Sequence, residues 1–358
     1  MKIVLVNPPS PPEYRVSRGL MGGFGVAVPD GPSMRVMSAT LLHELEAGDR
    51  LRLEYGSSVE SVSLLNRLNV LSPFARLTFD MGSNGRLKIA YSSGALATEL
   101  AARGNDAVNR EDASLNQELN TLGMMPILSI RNNQARAQRT ENVEIGYTKV
   151  AGSRTYSAGI YHERVSDGAA MLAGSGDLFA SDVLPDLGSE SSIFNLGKFS
   201  RWGYTASMTQ AVGQRMEISA AYGRGGALTT EGRELSSEDA DELRRFIRMH
   251  EKNWVTVRAS GTVPVTGTRV GASYGWTDRN SMMPVHLYLA QRLNVEPGLN
   301  ISIRQPLPGM GGMPGRLEAT AEFRNLLQQG YLPLTAAGRS MLFTNSPRAV
   351  RGGLSFIF

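Results

Sequence analysis

The residues of this chain able to titrate near neutral pH are four histidines, His43, His162, His250 and His286. They stand far apart and suggest no metal-ligand spacing. There is no cysteine. That excludes disulfides, thiolate zinc sites, cysteine nucleophiles and cysteine-ligated iron–sulfur clusters together. His162 precedes Glu163, but both fall in an alternating apolar–polar stretch, where neighbours point to opposite faces. They are not a dyad. Gly23-Phe24-Gly25 does not complete a dinucleotide-binding fingerprint, because position 28 is Val28. No P-loop, His-Glu-x-x-His, EF-hand loop or Gly-x-Ser-x-Gly elbow occurs. Gly174-Ser175-Gly176-Asp177 reads as a loop turn. What remains is fixed charge on strand-like segments: Arg52, Glu54, Arg258 and Arg269. Such charges line a hydrated lumen, where they can select solutes or pair with one another across strands. No catalytic residue, cofactor or metal is expected, and the chain is not read as an enzyme.

The elements that carry these charges alternate with period two, the signature of half-buried strands. Leu51, Leu53 and Tyr55 alternate with Arg52 and Glu54; Ala75, Leu77, Phe79 and Met81 with Arg76, Thr78 and Asp80. The same holds over 87–91, 143–148, 202–209, 255–263 and 269–276. Gly-containing turns at 81–85, 150–153, 212–214 and 266–267 join neighbours as hairpins. The segments approach nine to twelve residues, longer than the usual strand. Other connections are long and polar: 94–124, 166–197 and 224–252. In the last, a short helix is expected, capped by Ser236 with Asp239 at the capping-box position and a stripe of Leu243, Phe246 and Ile247. Residues 306–315 form a Pro/Gly loop.

Short turns alternating with long polar loops are the pattern of an outer-membrane barrel. Apolar strips that close on aromatics (Tyr55, Phe79, Tyr91, Tyr147, Tyr222, Tyr274, Trp276) fit an interfacial girdle. No apolar run reaches the 18 residues or more of a membrane helix, which says nothing about a barrel. A net charge of +4, with both signs interspersed, gives no basic arm for nucleic acid.

The chain ends on Leu354, Phe356 and Phe358, alternate residues of its last segment. This resembles the terminal strand of bacterial outer-membrane barrels, in which a final Phe is the barrel-assembly signal. The stretches 51–58, 152–157, 316–327 and 347–356 resemble the C-terminal barrel portion of TonB-dependent-receptor-like proteins of the carboxypeptidase-regulatory-like kind. The resemblance runs from about Gly31 to the end. It implies import or surface reception of a bulky ligand, the assembly machinery and outer-membrane lipid as partners, and a TonB-type energy-coupling protein if a plug lies upstream. The chain departs from the family in carrying no recognisable signal peptide, plug or TonB-box segment. It also has about 14–16 expected strands against the 22 of the large outer-membrane transporters. A fragment or a smaller relative is therefore expected.

Residues 1–30 stand apart. Met1–Pro9 and Met21-Gly22-Gly23-Phe24-Gly25 resemble the opening of cobalamin-binding radical-SAM enzymes. That class needs three cysteines for its cluster, so the stretch is read as an initial strand and a Pro/Gly-rich loop. The expectation is all-β: an antiparallel transmembrane β-barrel over 31–358, incomplete if the chain is a fragment, in the cell outer membrane. It would serve as part of a TonB-dependent-receptor-like transporter or surface receptor. Alternatives are a structural or adhesive barrel without transport, a lipid-degrading barrel enzyme, which the histidine placements do not support, and a soluble antiparallel β-sheet binding protein.

Overall fold

A computed structural model describes residues 2–6, 35–63, 67–94, 127–174, 178–185, 191–230, 234–235, 237–278, 280–286, 288–291, 293, 296–307, 316–345 and 347–357. The chain is all-β and antiparallel. It begins with β1 (Lys2–Val6), β2 (Arg35–Ala47), β3 (Leu51–Ser63), β4 (Arg67–Asp80) and β5 (Arg86–Gly94). A small hairpin of β6 (Leu128–Arg131) and β7 (Gln134–Ala137) precedes β8 (Arg139–Ala151) and β9 (Arg154–Ala173). Next come β10 (Val183–Pro185), β11 (Ser191–Val212), β12 (Met216–Thr230) and helix α1 (Ala240–Phe246). The chain continues through β13 (Ile247–Thr262), β14 (Arg269–Thr277), β15 (Ser281–Met282) and β16 (Gly298–Pro306). It finishes with β17 (Arg316–Arg324), β18 (Leu332–Ala336), β19 (Arg339–Thr344) and β20 (Ala349–Ile357).

One antiparallel ladder runs β1-β2-β3-β4-β5-β8-β9-β11-β12-β13-β14-β16-β17-β20. Its end strands, β1 and β20, each have a single partner among the described residues. The strands reach 22 residues in β11 and 20 in β9, well beyond the expected length. The reason lies in the stretches first read as polar loops. Ala170 and Leu172 in β9, Phe194 in β11 and Leu228 in β12 alternate inward and join one buried apolar cluster. Alternation with a core on one side extends a strand whatever the mean polarity of the stretch.

Register turns alternation into two unlike faces. On the outer face Leu51, Phe79, Leu87, Tyr147, Ala158, Ala206, Tyr222, Val255 and Trp276 form one continuous cross-strand row. A parallel row runs Leu53, Leu77, Ile89, Ile145, Ile160 and Tyr204. Phe79, Ile89, Ile145, Ile160, Tyr222, Val255 and Trp276 are all exposed. On the inner face a row runs Glu44, Glu54, Arg76, Ala90, Glu144, Tyr161, Gly203 and Gly225. Adjacent rows differ in this way because the side-chain period of a strand is two.

Tight turns at Gly48, Gly82, Gly152 and Gly213 all lie at one end and place these glycines at positive φ, which a Cβ disfavours. The opposite end carries the long connections. There β18, β19, α1 and the ends of β9, β11 and β12 bury Leu172, Leu178, Phe194, Leu243, Met282 and Phe343. Beside them Val62, Val70, Leu128 and Ala137 make a smaller cluster under the β6–β7 hairpin. In α1 the cap is Asp239, whose carboxylate accepts from the Asp241 amide at 2.9 Å. The expected cap Ser236 lies outside the described residues. Asp239 wins because its side chain reaches the second amide of the helix, whereas the capping-box reading places it one turn too late. Leu243 is buried and Phe246 packs beside it, while Ile247 has left the helix for β13.

Candidate functional site

The connection between β14 and β16 does not stay at the rim. Residues 284–286 and 288–291 pack against the inner face of the sheet, and a cluster of buried polar groups converges on them. Alternation and register explain the setting. Tyr161 and Glu163 are two apart on β9 and share a face; Glu144 is the cross-strand partner of Tyr161, and Arg201 that of Glu163.

Glu144 binds the segment most heavily. Its Oε2 accepts the backbone N–H of Leu289 and of Ala290, each at 2.7 Å. Its Oε1 accepts from Asn142 Nδ2 at 2.7 Å and meets His286 Nε2 at 2.9 Å. Both oxygens are thereby saturated. On the other side of the imidazole, Nδ1 faces Glu163 Oε1 at 3.3 Å. Arg201 Nε pairs with Glu163, and its two Nη groups donate to the carbonyls of Pro284 (2.8 Å) and Val285 (3.1 Å). Thr205 Oγ1 donates to Gln291 Oε1 at 2.7 Å. The Tyr161 ring stacks on His286 with centroids 4.2 Å apart, and Tyr288 meets His286 edge-on at 4.4 Å.

The charge balance of this cluster follows from position. The side chains of Glu144, Glu163, Arg201 and His286 are each at most 4% exposed. Two carboxylates facing one guanidinium and one imidazole are neutral as a group when the imidazole is protonated. An imidazole between two carboxylates, one at each nitrogen, favours that charged form. Removing any one charge leaves the buried group with an uncompensated net charge, a loss of several kcal/mol.

Small residues make the room. A Cβ at Gly159 would overlap Gln291 Nε2, and one at Gly203 or Gly225 would run into Tyr161. These glycines accommodate close approach of another chain segment to a sheet. On the far side Leu289 packs with Leu42, Phe74 and Ala90 from β2, β4 and β5. The segment thus touches strands from β2 to β11, so the sheet curls around it.

Glu54, placed by its alternation on the inner face, pairs with Arg76 (2.6 Å) and with Arg52 (3.2 Å), which also binds Glu44 at 2.6 Å. Arg258 and Arg269 lie on the same face as these by alternation, but on β13 and β14, away from Glu54. Arg258 is exposed and Arg269 half-buried. His162 points outward, its ring at 3.2 Å from Ser200 Oγ, while Glu163 points inward into the cluster. Leu354 is exposed on β20, Phe356 is the register partner of Leu317, and Phe358 lies outside the described residues. Of Gly174-Ser175-Gly176-Asp177 only Gly174 is described, with φ of +80°.

Sequence reasoning missed the segment itself. Its signal was an apolar run, Met-Met-Pro-Val-His-Leu-Tyr-Leu-Ala at 282–290, inside a connection where its counterparts are polar. Among the described residues no group of three or more His, Asp or Glu is placed to hold a metal ion. The cluster's hydrogen bonds run to the backbone of Pro284, Val285, Leu289 and Ala290, so it fixes this segment against the inner face.

No family profile matches the chain, and no curated protein does. Among solved structures it is similar to the FrpB iron transporter from Neisseria meningitidis (F3-3 variant), with 12% identity and a TM-score of 0.36, covering 87% of this chain and 45% of that one. The F5-1 variant of the same transporter, in its apoprotein form, gives a TM-score of 0.37 at 12% identity and the same coverage. P. aeruginosa FpvA bound to a heterologous pyoverdine gives 0.36 at 12% identity, covering 89% of this chain and 38% of that one. The chain spans less than half the length of these structures.

Proposed function

We propose that this chain is the barrel portion of an outer-membrane receptor or transporter for a bulky ligand, its outer face in lipid and its interior obstructed by residues 284–291. The observation that carries the reading is the division between the faces. Continuous rows of exposed Leu, Ile, Val, Tyr, Phe and Trp run across the outer side, while Glu, Arg, Thr and Gly fill the inner side. A water-exposed apolar surface of that extent is rare in soluble proteins and marks membrane or partner contact. A soluble sheet buries its apolar face and leaves the charged one in water; here Glu54, Arg76, Glu144, Glu163 and Arg201 are buried instead.

In this reading Leu354, Phe356 and Phe358 address the barrel-assembly machinery, and β20 closes against an N-terminal strand so that no lipid-facing edge is left. A TonB-type partner acts if a plug is joined to the chain. Inner-face Arg258 and Arg269 contribute to the charge that a solute meets. An adhesive or structural role without transport is the second reading. It is favoured by the apolar packing of the long connections into one cap. Extraction only by detergent, with migration on a gel that changes on heating, is the expected behaviour. A monodisperse protein in detergent-free buffer would rule the reading out. Planar-bilayer recording separates transport from adhesion. Conductance that appears when 284–291 is deleted supports an obstructed pore, and a barrel silent with and without the segment supports adhesion.

A further inference from the structure

At the long-connection end a second feature stands apart from the His286 cluster. A cavity of about 530 Å³ lies between the end of β14 and the turn that follows β17. Its lining includes Tyr274, Trp276, Asp278, Gln328, Gln329 and Tyr331. The size lies in the range of small-molecule sites.

The cavity is firmly built. Asn325, fully buried, holds the 325–329 turn from both sides: its Oδ1 accepts from the Gln329 amide at 2.9 Å and its Nδ2 donates to the Gln329 carbonyl at 2.9 Å. Gln328 sits at φ of +51°, an uncommon conformation for a residue with a side chain. The turn thereby presents two successive amide side chains to one cleft. Gln329 Nε2 donates to Tyr274 OH at 3.1 Å, and its Oε1 is buried with no partner among the described residues. A buried acceptor left unmade is unfavourable, and a hydroxyl donor from a ligand would relieve it once the flexible side chain turns toward the cleft. Tyr331 OH is likewise fixed, accepting from the Arg348 amide at 3.0 Å. Asp278 is answered by Lys252 at 3.7 Å.

We propose that this cleft binds a neutral saccharide. The apolar face of a sugar ring packs on an aromatic ring, and Tyr274 and Trp276 are 37% and 40% exposed. Adjacent hydroxyls both donate and accept, as the side-chain amides of Gln328 and Gln329 do. An acyl chain would leave Gln329 Oε1 unsatisfied, and among the described lining residues there is no cation to answer a phosphate or carboxylate. Trp276 ends an outer apolar row, which puts the cleft where either a dissolved sugar or the headgroup of a neutral glycolipid can reach it. The site does not depend on transport through the interior.

The test uses the full chain refolded in a detergent without a sugar headgroup, since maltoside and glucoside detergents would occupy the cleft. Maltose is titrated by calorimetry. In parallel, the protein is placed in phosphatidylcholine nanodiscs with and without galactosyl diacylglycerol. Saturable binding of either probe, weakened about tenfold or more by Gln329→Ala and by Trp276→Leu, supports the site. Maltose binding identifies a dissolved saccharide as the source, and binding confined to galactolipid discs identifies the headgroup. Glucose 6-phosphate is expected to bind no more tightly than glucose. No saturable binding of either probe, or equal binding by wild type and both variants, overturns the proposal. Heat-dependent gel migration, measured on each sample, reports separately whether the barrel is folded.

Discussion

Truncating Arg201 is the sharpest perturbation of the interior. Its side chain is 1% exposed, pairs with Glu163 and donates to the carbonyls of Pro284 and Val285. Two estimates of the loss agree. Breaking a buried ion pair from one side costs about 3–5 kcal/mol. Charged hydrogen bonds contribute about 1.5–3 kcal/mol each, hence about 3–6 for the two that hold the segment. The lower value is the better guide, because water reaching Glu163 in Arg201→Ala offsets part of the loss. About 3 kcal/mol at 1.4 kcal/mol per decade is a rise of about 10²-fold in the population with the segment released. The absence of native cysteine provides the assay. Leu289→Cys, at a site only 3% exposed, gives a single thiol that a water-soluble maleimide reaches when 284–291 leaves the inner face. Its labelling should accelerate about 10²-fold in Arg201→Ala and about tenfold in Arg201→Lys, which keeps the charge and loses the fork. Labelling within about twofold of the parent, in a variant whose heat-dependent migration shows a folded barrel, would refute the idea that Arg201 holds the segment.

Three further outcomes follow from the same geometry. Gly159→Ala drives a methyl into Gln291 and breaks its bond to Thr205; a loss of about 1–3 kcal/mol in unfolding stability and faster Leu289→Cys labelling are expected. Ile145→Arg on the outer face should lower membrane stability by about 2–4 kcal/mol, while Arg258→Ala on the inner face changes it little; equal small effects at both sites would point to a water-exposed sheet. Burial would raise the Asp182 carboxyl, but hydrogen bonds from Ser181 and Arg244 and the Arg244 charge hold it below the ordinary range. Its contribution to the long-connection cap is therefore present above the unfolded carboxylate range and is lost as pH falls through the lowered value. Asp182→Asn should flatten the acid limb of a pH–stability curve read by hydrogen exchange in Val183 and Leu184.

The strands were legible because alternation is local. Of 51–55, 75–81, 87–91, 143–148, 202–209, 255–263 and 269–276, each lies within a strand except that Met81 and Val263 overrun theirs by one residue. The turns at Gly82, Gly152 and Gly213 were equally legible, since the requirement for positive φ is written in a single residue. The extension of β9 and β11 was not, because the residues that bury Leu172 and Phe194 come from β18, β19 and α1, far off in sequence. The His286 cluster was hidden for the same reason. Glu144, Glu163, Arg201 and His286 are ordinary polar residues until register aligns three strands and a connection folds back across them. The cause of glycine at 159, 203 and 225 is the close approach of Gln291 and Tyr161, which no local pattern displays.

The division of the faces is the central claim, and the three tryptophans read it directly. Trp202 and Trp276 are 52% and 40% exposed on the outer face, whereas Trp254 is fully buried on the inner face against Gly223. Single-tryptophan variants reconstituted in bilayers of brominated phosphatidylcholine should show strong quenching of Trp202 and Trp276 emission and none of Trp254. Unquenched Trp202 and Trp276, with aqueous acrylamide quenching both instead, would contradict a lipid-facing outer surface.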